Sequence, residues 1–259
     1  MDAIATTDLT KRYDTTVAVE GLNLSIPKGS VYAFLGPNGA GKTTTIRMLT
    51  TLTIPTSGTA TITGIPITDR AAVTKRIGLL PGDPPVYAEL AGREHLHYVA
   101  RLHELPREAA AEKIEHYLSA FDLADAADKR IGDYSTGMKK KLGLIAAILH
   151  EPDVLFLDEP TSGLDPRAAR TVCDLIADLA RQDRTIFLST HILSIADELA
   201  DTIGVIHDGR LVAEGTPSDL KAKFREQSGT TLETVFLEVT RDEQDDGESI
   251  LTTEVETNE

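Results

Sequence analysis

Residues 36–43 read Gly-Pro-Asn-Gly-Ala-Gly-Lys-Thr, directly after the apolar run Val31–Leu35 and before a segment of helical character. Glycines at 36, 39 and 41, set between a strand and a helix, leave the chain few architectures. Such a loop turns its backbone N–H groups over a concave anion site, and the helix opening at Gly41 adds the positive end of its dipole. The pattern predicts an α/β fold in which Gly36, Pro37, Asn38, Gly39, Ala40, Gly41, Lys42, Thr43 and Thr44 hold the phosphates of a nucleoside triphosphate. Lys42 supplies a point charge to those phosphates, and the Thr43 hydroxyl is placed to ligate Mg²⁺.

A second phosphate-handling element follows at Val154–Glu159, Val-Leu-Phe-Leu-Asp-Glu. Four apolar residues put Asp158 at the C-terminal end of a buried strand, where α/β sheets place their ligands. Asp158 is expected to hold the Mg²⁺ shell, and Glu159 to polarise an attacking water. The two elements together imply hydrolysis as well as binding.

Composition bounds the remaining possibilities. No apolar run approaches the roughly 18 residues of a membrane span, and residues 1–10 lack a basic region followed by an apolar stretch. A cytoplasmic location without an anchor is the expectation. The net charge is −15, but residues 225–259 carry −9 of it with 11 acidic and 2 basic side chains. The body is only mildly acidic, and it offers no broad basic face, so no nucleic-acid partner is expected. The single cysteine, Cys173, lies among apolar helix positions and reads as a small core residue. His95 and His97 sit two apart on a helix and form no chelating pair. His116, His150 and His207 have no partner at ligand spacing, so no structural metal is expected.

Along the chain, alternation in Ala3–Leu9, Val17–Val19 and Leu22–Ile26 reads as β structure, with a further strand at Gly58–Ile62. From Gly92 to Leu149 the period becomes helical. Leu96, Val99, Ala100 and His103 fit one face, and Ile114, Tyr117, Leu118 and Phe121 fit another, with Pro106 opening the second helix. Strands return at Val154–Leu157 and Thr185–Leu188, separated by a helix over Pro166–Arg181. Asp208-Gly209 then joins Ile203–His207 to Arg210–Glu214 as a hairpin. The fold expected is a phosphate-loop NTPase core with a mainly parallel sheet, an N-terminal antiparallel β subdomain and an inserted helical subdomain near 92–149. Residues 1–224 form this domain. In the acidic extension, 225–259, a capping box at Thr230–Glu233 and Leu232, Val235, Phe236 and Val239 at helical spacing predict a helix near 231–240, followed by disorder.

Tyr134-Ser135-Thr136-Gly137-Met138 opens the helix that runs through Leu149. A serine and a glycine at a helix start make a second anion site. One phosphate chain rarely needs two such sites, so this one is expected either to serve a nucleotide held by another subunit or to be an ordinary Ser135 helix N-cap. Lys139–Lys141 read as a solvated face with a mildly favourable field.

The order of these motifs resembles the nucleotide-binding subunit of ATP-binding cassette (ABC) transporters over residues 3–240. In that resemblance Ser135, Thr136, Gly137 and Met138 are similar to the signature motif that contacts ATP in trans. Ser162-Gly163-Leu164-Asp165 is similar to the dimer-contact loop, His191 to the switch histidine at the γ-phosphate, and Tyr13 to the aromatic that stacks on adenine. The resemblance implies Glu159, His191 and Lys42 as catalytic residues, with ATP and Mg²⁺ as cofactors. It also implies a second ATP-binding subunit, identical or not, closing head to tail, and an integral membrane permease. The chain would then lie peripherally on the inner face of the cell membrane.

Two departures stand out. Gly82 occupies the place of a glutamine that usually reaches the metal and the transporter interface, and Asp83 is the candidate substitute. Tyr134, Thr136 and Met138 replace the usual signature residues. The Tyr-Ser-x-Gly-Met form and Leu232–Leu237 are similar to the drug- and sodium-export branch, which favours an exporter. A soluble ABC ATPase of DNA repair or translation is the alternative, but 92–149 is too short for a coiled-coil arm and no second phosphate loop is present. A weakly hydrolysing regulatory subunit is left open by Gly82 alone.

Overall fold

The computed structural model describes residues 1–223 and 232–240. Thr230, Thr231 and the acidic stretch after Thr240 lie outside the described residues, and with them part of the expected cap and the expected disorder.

The chain opens with two long antiparallel strands, β1 (Asp2–Tyr13) and β2 (Thr16–Pro27), followed by β3 (Val31–Leu35). The sequence suggested a break between Val19 and Leu22. Instead β2 is continuous, bending where Gly21 takes a positive φ of 58°, with register shifts that absorb the extra residues as bulges. β3 feeds the glycine loop and α1 (Lys42–Leu49). β4 (Ser57–Ile62) and β5 (Ile65–Pro66) complete an antiparallel sheet in the order β2-β1-β4-β5.

The short α2 (Arg70–Thr74) leads to β6 (Ile77–Leu80), a strand that the sequence reading did not single out. Three helices then precede the next strand: α3 (Gly92–Leu102), α4 (Arg107–Ala120) and α5 (Thr136–Ile148). Leu96, Ala100, Ile114, Leu118, Leu142 and Ile145 share one core. The α3 face is rotated from expectation: His95 is buried and His103 is exposed. Pro106 stands one residue before α4 as its N-cap.

β7 (Val154–Asp158), α6 (Pro166–Arg181), β8 (Thr185–Thr190), α7 (Leu193–Leu199), β9 (Thr202–His207) and β10 (Arg210–Gly215) complete the second sheet. Its order is β10-β9-β3-β8-β7-β6, and only the β9–β10 pair is antiparallel. Positive φ at both Asp208 (46°) and Gly209 (78°) makes their turn type I′, which matches the twist of the flanking strands. Cys173 is buried on α6 among Val172 and Ile176.

β3 shows why the sheet needs cover on both faces. All five of its residues are buried. Tyr32 and Phe34 pack with Phe156 and Phe187 on the face towards the antiparallel sheet, the Tyr32 and Phe187 rings stacking at 5.6 Å. Ala33 and Leu35 face Ala196, Leu220 of α8 (Pro217–Lys223) and Leu232 of α9 (Leu232–Val239). Burial of each such large apolar side chain contributes about 1.5–3 kcal/mol, and the central position of β3 fixes the loop that follows it.

Candidate functional site at the ends of the parallel strands

The glycine loop is held by close packing. A Cβ on Gly36 would lie 2.5 Å from the Ile206 carbonyl oxygen, and one on Gly41 would lie 2.4 Å from that of Ala18. Gly41 also has φ 107° and caps α1 without any side-chain bond, so the first N–H groups of the helix stay open for an anion. Above the loop is a cavity of about 250 Å³ lined by Ala18, Pro37, Asn38, Gly39, Gly41, Lys42, Thr43, Thr44 and Glu159.

Lys42, Thr43 and Glu159, which line this cavity, form a connected set with Asp158, Ser189 and His191. Lys42 Nζ, itself buried, donates to the carbonyls of Gly36 (2.7 Å) and Pro37 (3.1 Å) and lies 3.6 Å from Glu159 Oε1. Thr43 Oγ1 donates to Asp158 Oδ2 at 2.8 Å, and Ser189 Oγ donates to Asp158 Oδ1 at 2.5 Å. His191 Nδ1 lies 2.9 Å from Glu159 Oε2. Because an ionised carboxylate only accepts, that pairing puts the proton on Nδ1. Glu159 itself is in the left-handed region, φ 50°, with its N–H on the Ser189 carbonyl at 3.1 Å. Its Oε1 is buried and makes no hydrogen bond, an acceptor left for a donor from outside the chain.

Thr43 Oγ1 and Asp158 Oδ2 are hard oxygen donors facing one another at a helix N-terminus and a strand end. That donor set suits Mg²⁺, which takes oxygen ligands and keeps several waters.

The other expected residues stand apart from the cavity. Tyr13, at the end of β1, is 44% exposed with the Lys11 ammonium 4.9 Å from its ring centroid, and it does not line the pocket. Ser135, the N-cap of α5, accepts from the Met138 N–H at 3.2 Å. Thr136 is exposed, and Gly137 and Met138 are half-buried. Leu164 Cδ2 lies 3.4 Å from a Cβ built on Gly137, and Thr136 Cγ2 lies 3.9 Å from one built on Gly163, so Ser162–Asp165 packs beside Ser135–Met138 in the same chain. Asp165 caps α6 by accepting from Arg167 and Ala168 N–H groups, both at 3.0 Å. The Ala168 bond is the main reason its carboxyl is held below the usual range.

Ser189 and two of the three consecutive lysines were missed. Ser189 pairs in register with Asp158 across β7 and β8, a relation visible only once strand order is known. The Lys139–Lys141 run is not a solvated face: Lys140 is buried and bonded to the Glu159 and Ser162 carbonyls, and Lys141 Nζ bonds the Phe121 carbonyl at 3.0 Å.

Residues 19–162 match the ABC transporter family. The chain belongs to this family. As an ABC protein it is an ATP-binding, ATP-hydrolysing subunit of the kind that dimerises and pairs with membrane permeases, and no helix among the described residues is long and apolar enough to cross a membrane. It is 43% identical to the daunorubicin resistance ATP-binding protein DrrA3 of Streptomyces coeruleorubidus over 237 residues, covering 91% of this chain and 74% of the relative. It is 42% identical to the bacitracin transport ATP-binding protein BcrA of Bacillus licheniformis over 224 residues, covering 86% and 72%. A solved structure of the ATP-binding subunit of an ABC transporter superimposes with a TM-score of 0.86 at 30% identity, covering 92% of this chain and all of that one.

Proposed function

We propose that the chain is the ATPase subunit of an exporter of drug-like molecules, working from the cytoplasmic face of the membrane. The network that ties the cavity-lining Lys42, Thr43 and Glu159 to Asp158 and His191 carries the hydrolytic part of this reading. The drug-resistance and antibiotic-transport names of its relatives support the cargo class.

In this reading Gly36–Thr44 cradle the triphosphate, and Lys42 turns from the loop carbonyls to the phosphates. Tyr13 stacks on the base. Thr43 and Asp158 would hold Mg²⁺, which would supply charge neutralisation to the triphosphate. Glu159 orients and polarises the attacking water. His191 holds the Glu159 carboxylate through its Nδ1–H and meets the γ-phosphate once nucleotide is bound. Ser135–Met138 complete the site of a second subunit, with Ser162–Asp165 at the contact. ATP binds the closed pair better than the open one, so binding closes it and hydrolysis reopens it. Residues 1–224 would act as this unit and 225–259 as an extension.

A groove of about 400 Å³ between the core and the helical block supports a membrane partner at that face. Leu80, Pro81, Tyr87, Tyr98 and Val99 are among its lining residues, and the Tyr87 and Tyr98 rings meet edge to face at 5.4 Å. A tagged pull-down from detergent-solubilised host membranes with Mg-ATP tests the assignment. Recovery of a polytopic membrane protein is expected; recovery of ribosomal or DNA-associated proteins alone would move the chain to the soluble branch.

A further inference from the structure

Lys140 is a buried ammonium on α5, the helix capped by Ser135, and it ends on two backbone carbonyls rather than on a carboxylate. One is the carbonyl of Glu159, at 2.8 Å; the other is that of Ser162. We infer that Lys140 is a positioning residue for hydrolysis, a clamp that fastens the Ser135–Met138 helix to the Glu159 backbone and the Ser162–Asp165 loop.

Three observations carry the inference. Glu159 adopts a left-handed conformation, φ 50°, which is uncommon for a non-glycine residue. Its N–H is tied to β8 through the Ser189 carbonyl and its C=O to Lys140, so both ends of the residue are fixed and the carboxylate is directed between Lys42 and His191. The same ammonium holds Ser162, whose loop packs Gly163 and Leu164 beside Thr136 and Gly137. A displacement of α5 by a nucleotide bound against Ser135–Met138 therefore reaches Glu159 through one side chain. Burial pulls the Lys140 pKa down, while the Glu159 and Asp158 carboxylates pull it up. Burial is the larger effect, so the net shift is downward.

This inference rests on the reading of Glu159 as the residue that activates water, and its test separates the two. The full-length chain is compared with Lys140→Met, Lys140→Arg and Glu159→Gln for ATP kcat, KM and thermal midpoint. Lys140→Met keeps length but donates nothing, and is expected to lower kcat about ten-fold or more with KM within about two-fold. Lys140→Arg, which restores the donors, recovers most of the rate. If Lys140→Met folds poorly, Lys140→Gln, which keeps an N–H donor, is expected to fall between it and wild type in kcat. Unchanged kcat, or a loss matched by the loss of folded protein, overturns the clamp while leaving Glu159 in place. If Glu159→Gln turns over at the wild-type rate, the underlying reading fails first.

Discussion

His191 Nδ1 stands 2.9 Å from Glu159 Oε2, while the other oxygen of that carboxylate faces Lys42 at 3.6 Å. An acid held between a proton donor and an ammonium keeps one orientation, which a group that aims a water requires. His191→Ala is expected to lower kcat by about 10–100-fold with ATP affinity changed only a few-fold. Equal kinetics would show that Glu159 needs no histidine.

Lys42 is pre-set by the Gly36 and Pro37 carbonyls rather than free in solvent. Replacing it by alanine removes a charge-assisted phosphate contact worth about 1.5–3 kcal/mol, so ATP should bind roughly 10–150-fold more weakly. Equilibrium titration with a fluorescent ATP analogue measures this. Unaltered affinity would place the phosphates elsewhere.

Gly82 lies past β6, where an added Cβ meets nothing nearer than the Asp158 carbonyl at 3.8 Å. Gly82→Gln should therefore fold with an unchanged thermal midpoint and bring a side-chain amide to the strand end that carries Asp158. A several-fold rise in partner-stimulated ATPase is expected. If basal and stimulated rates both stay the same, position 82 does not limit coupling.

Gly92 faces the Tyr134 hydroxyl, which donates to the Ala126 carbonyl at 2.7 Å; a Cβ at 92 would lie 2.3 Å from that oxygen. Gly92→Ala should cost about 1–3 kcal/mol through overpacking, and Tyr134→Phe in the same chain should return part of it. Urea unfolding of the single and double variants measures the coupling, and strict additivity would refute the contact.

His150 stacks on His103 with ring centroids 3.7 Å apart and bonds the Ile77 carbonyl. Burial first, then His103, then Arg184 and Lys113, lower its pKa from 6.5 to about 4, opposed by the Ile77 bond. With a depressed pKa the unfolded chain takes the proton first. The stability this group contributes is full above about pH 6.5 and is lost as pH falls towards 4. The stability gap between wild type and His150→Gln should shrink from pH 7.5 to pH 5; a constant gap would contradict the burial of a neutral ring.

Local pattern made much of this architecture legible. β3 could be read because a central parallel strand is apolar throughout, and the Asp208-Gly209 turn because its φ values demand those residues. The edge strand β6 was not legible, since four residues, one of them Gly78, carry no period. His95 and His103 exchanged roles because a helical face set by three apolar residues leaves its phase open. Lys140 was hidden for a different reason. Three consecutive lysines look solvated, and only the tertiary approach of the 159–162 backbone gives the middle one acceptors.

The most direct measurement is single-turnover hydrolysis of radiolabelled Mg-ATP by the wild-type chain and Glu159→Gln, with retained nucleotide counted in parallel. The account predicts that the variant binds ATP as tightly and releases phosphate about 10²-fold or more slowly. Phosphate release at the wild-type rate would contradict it.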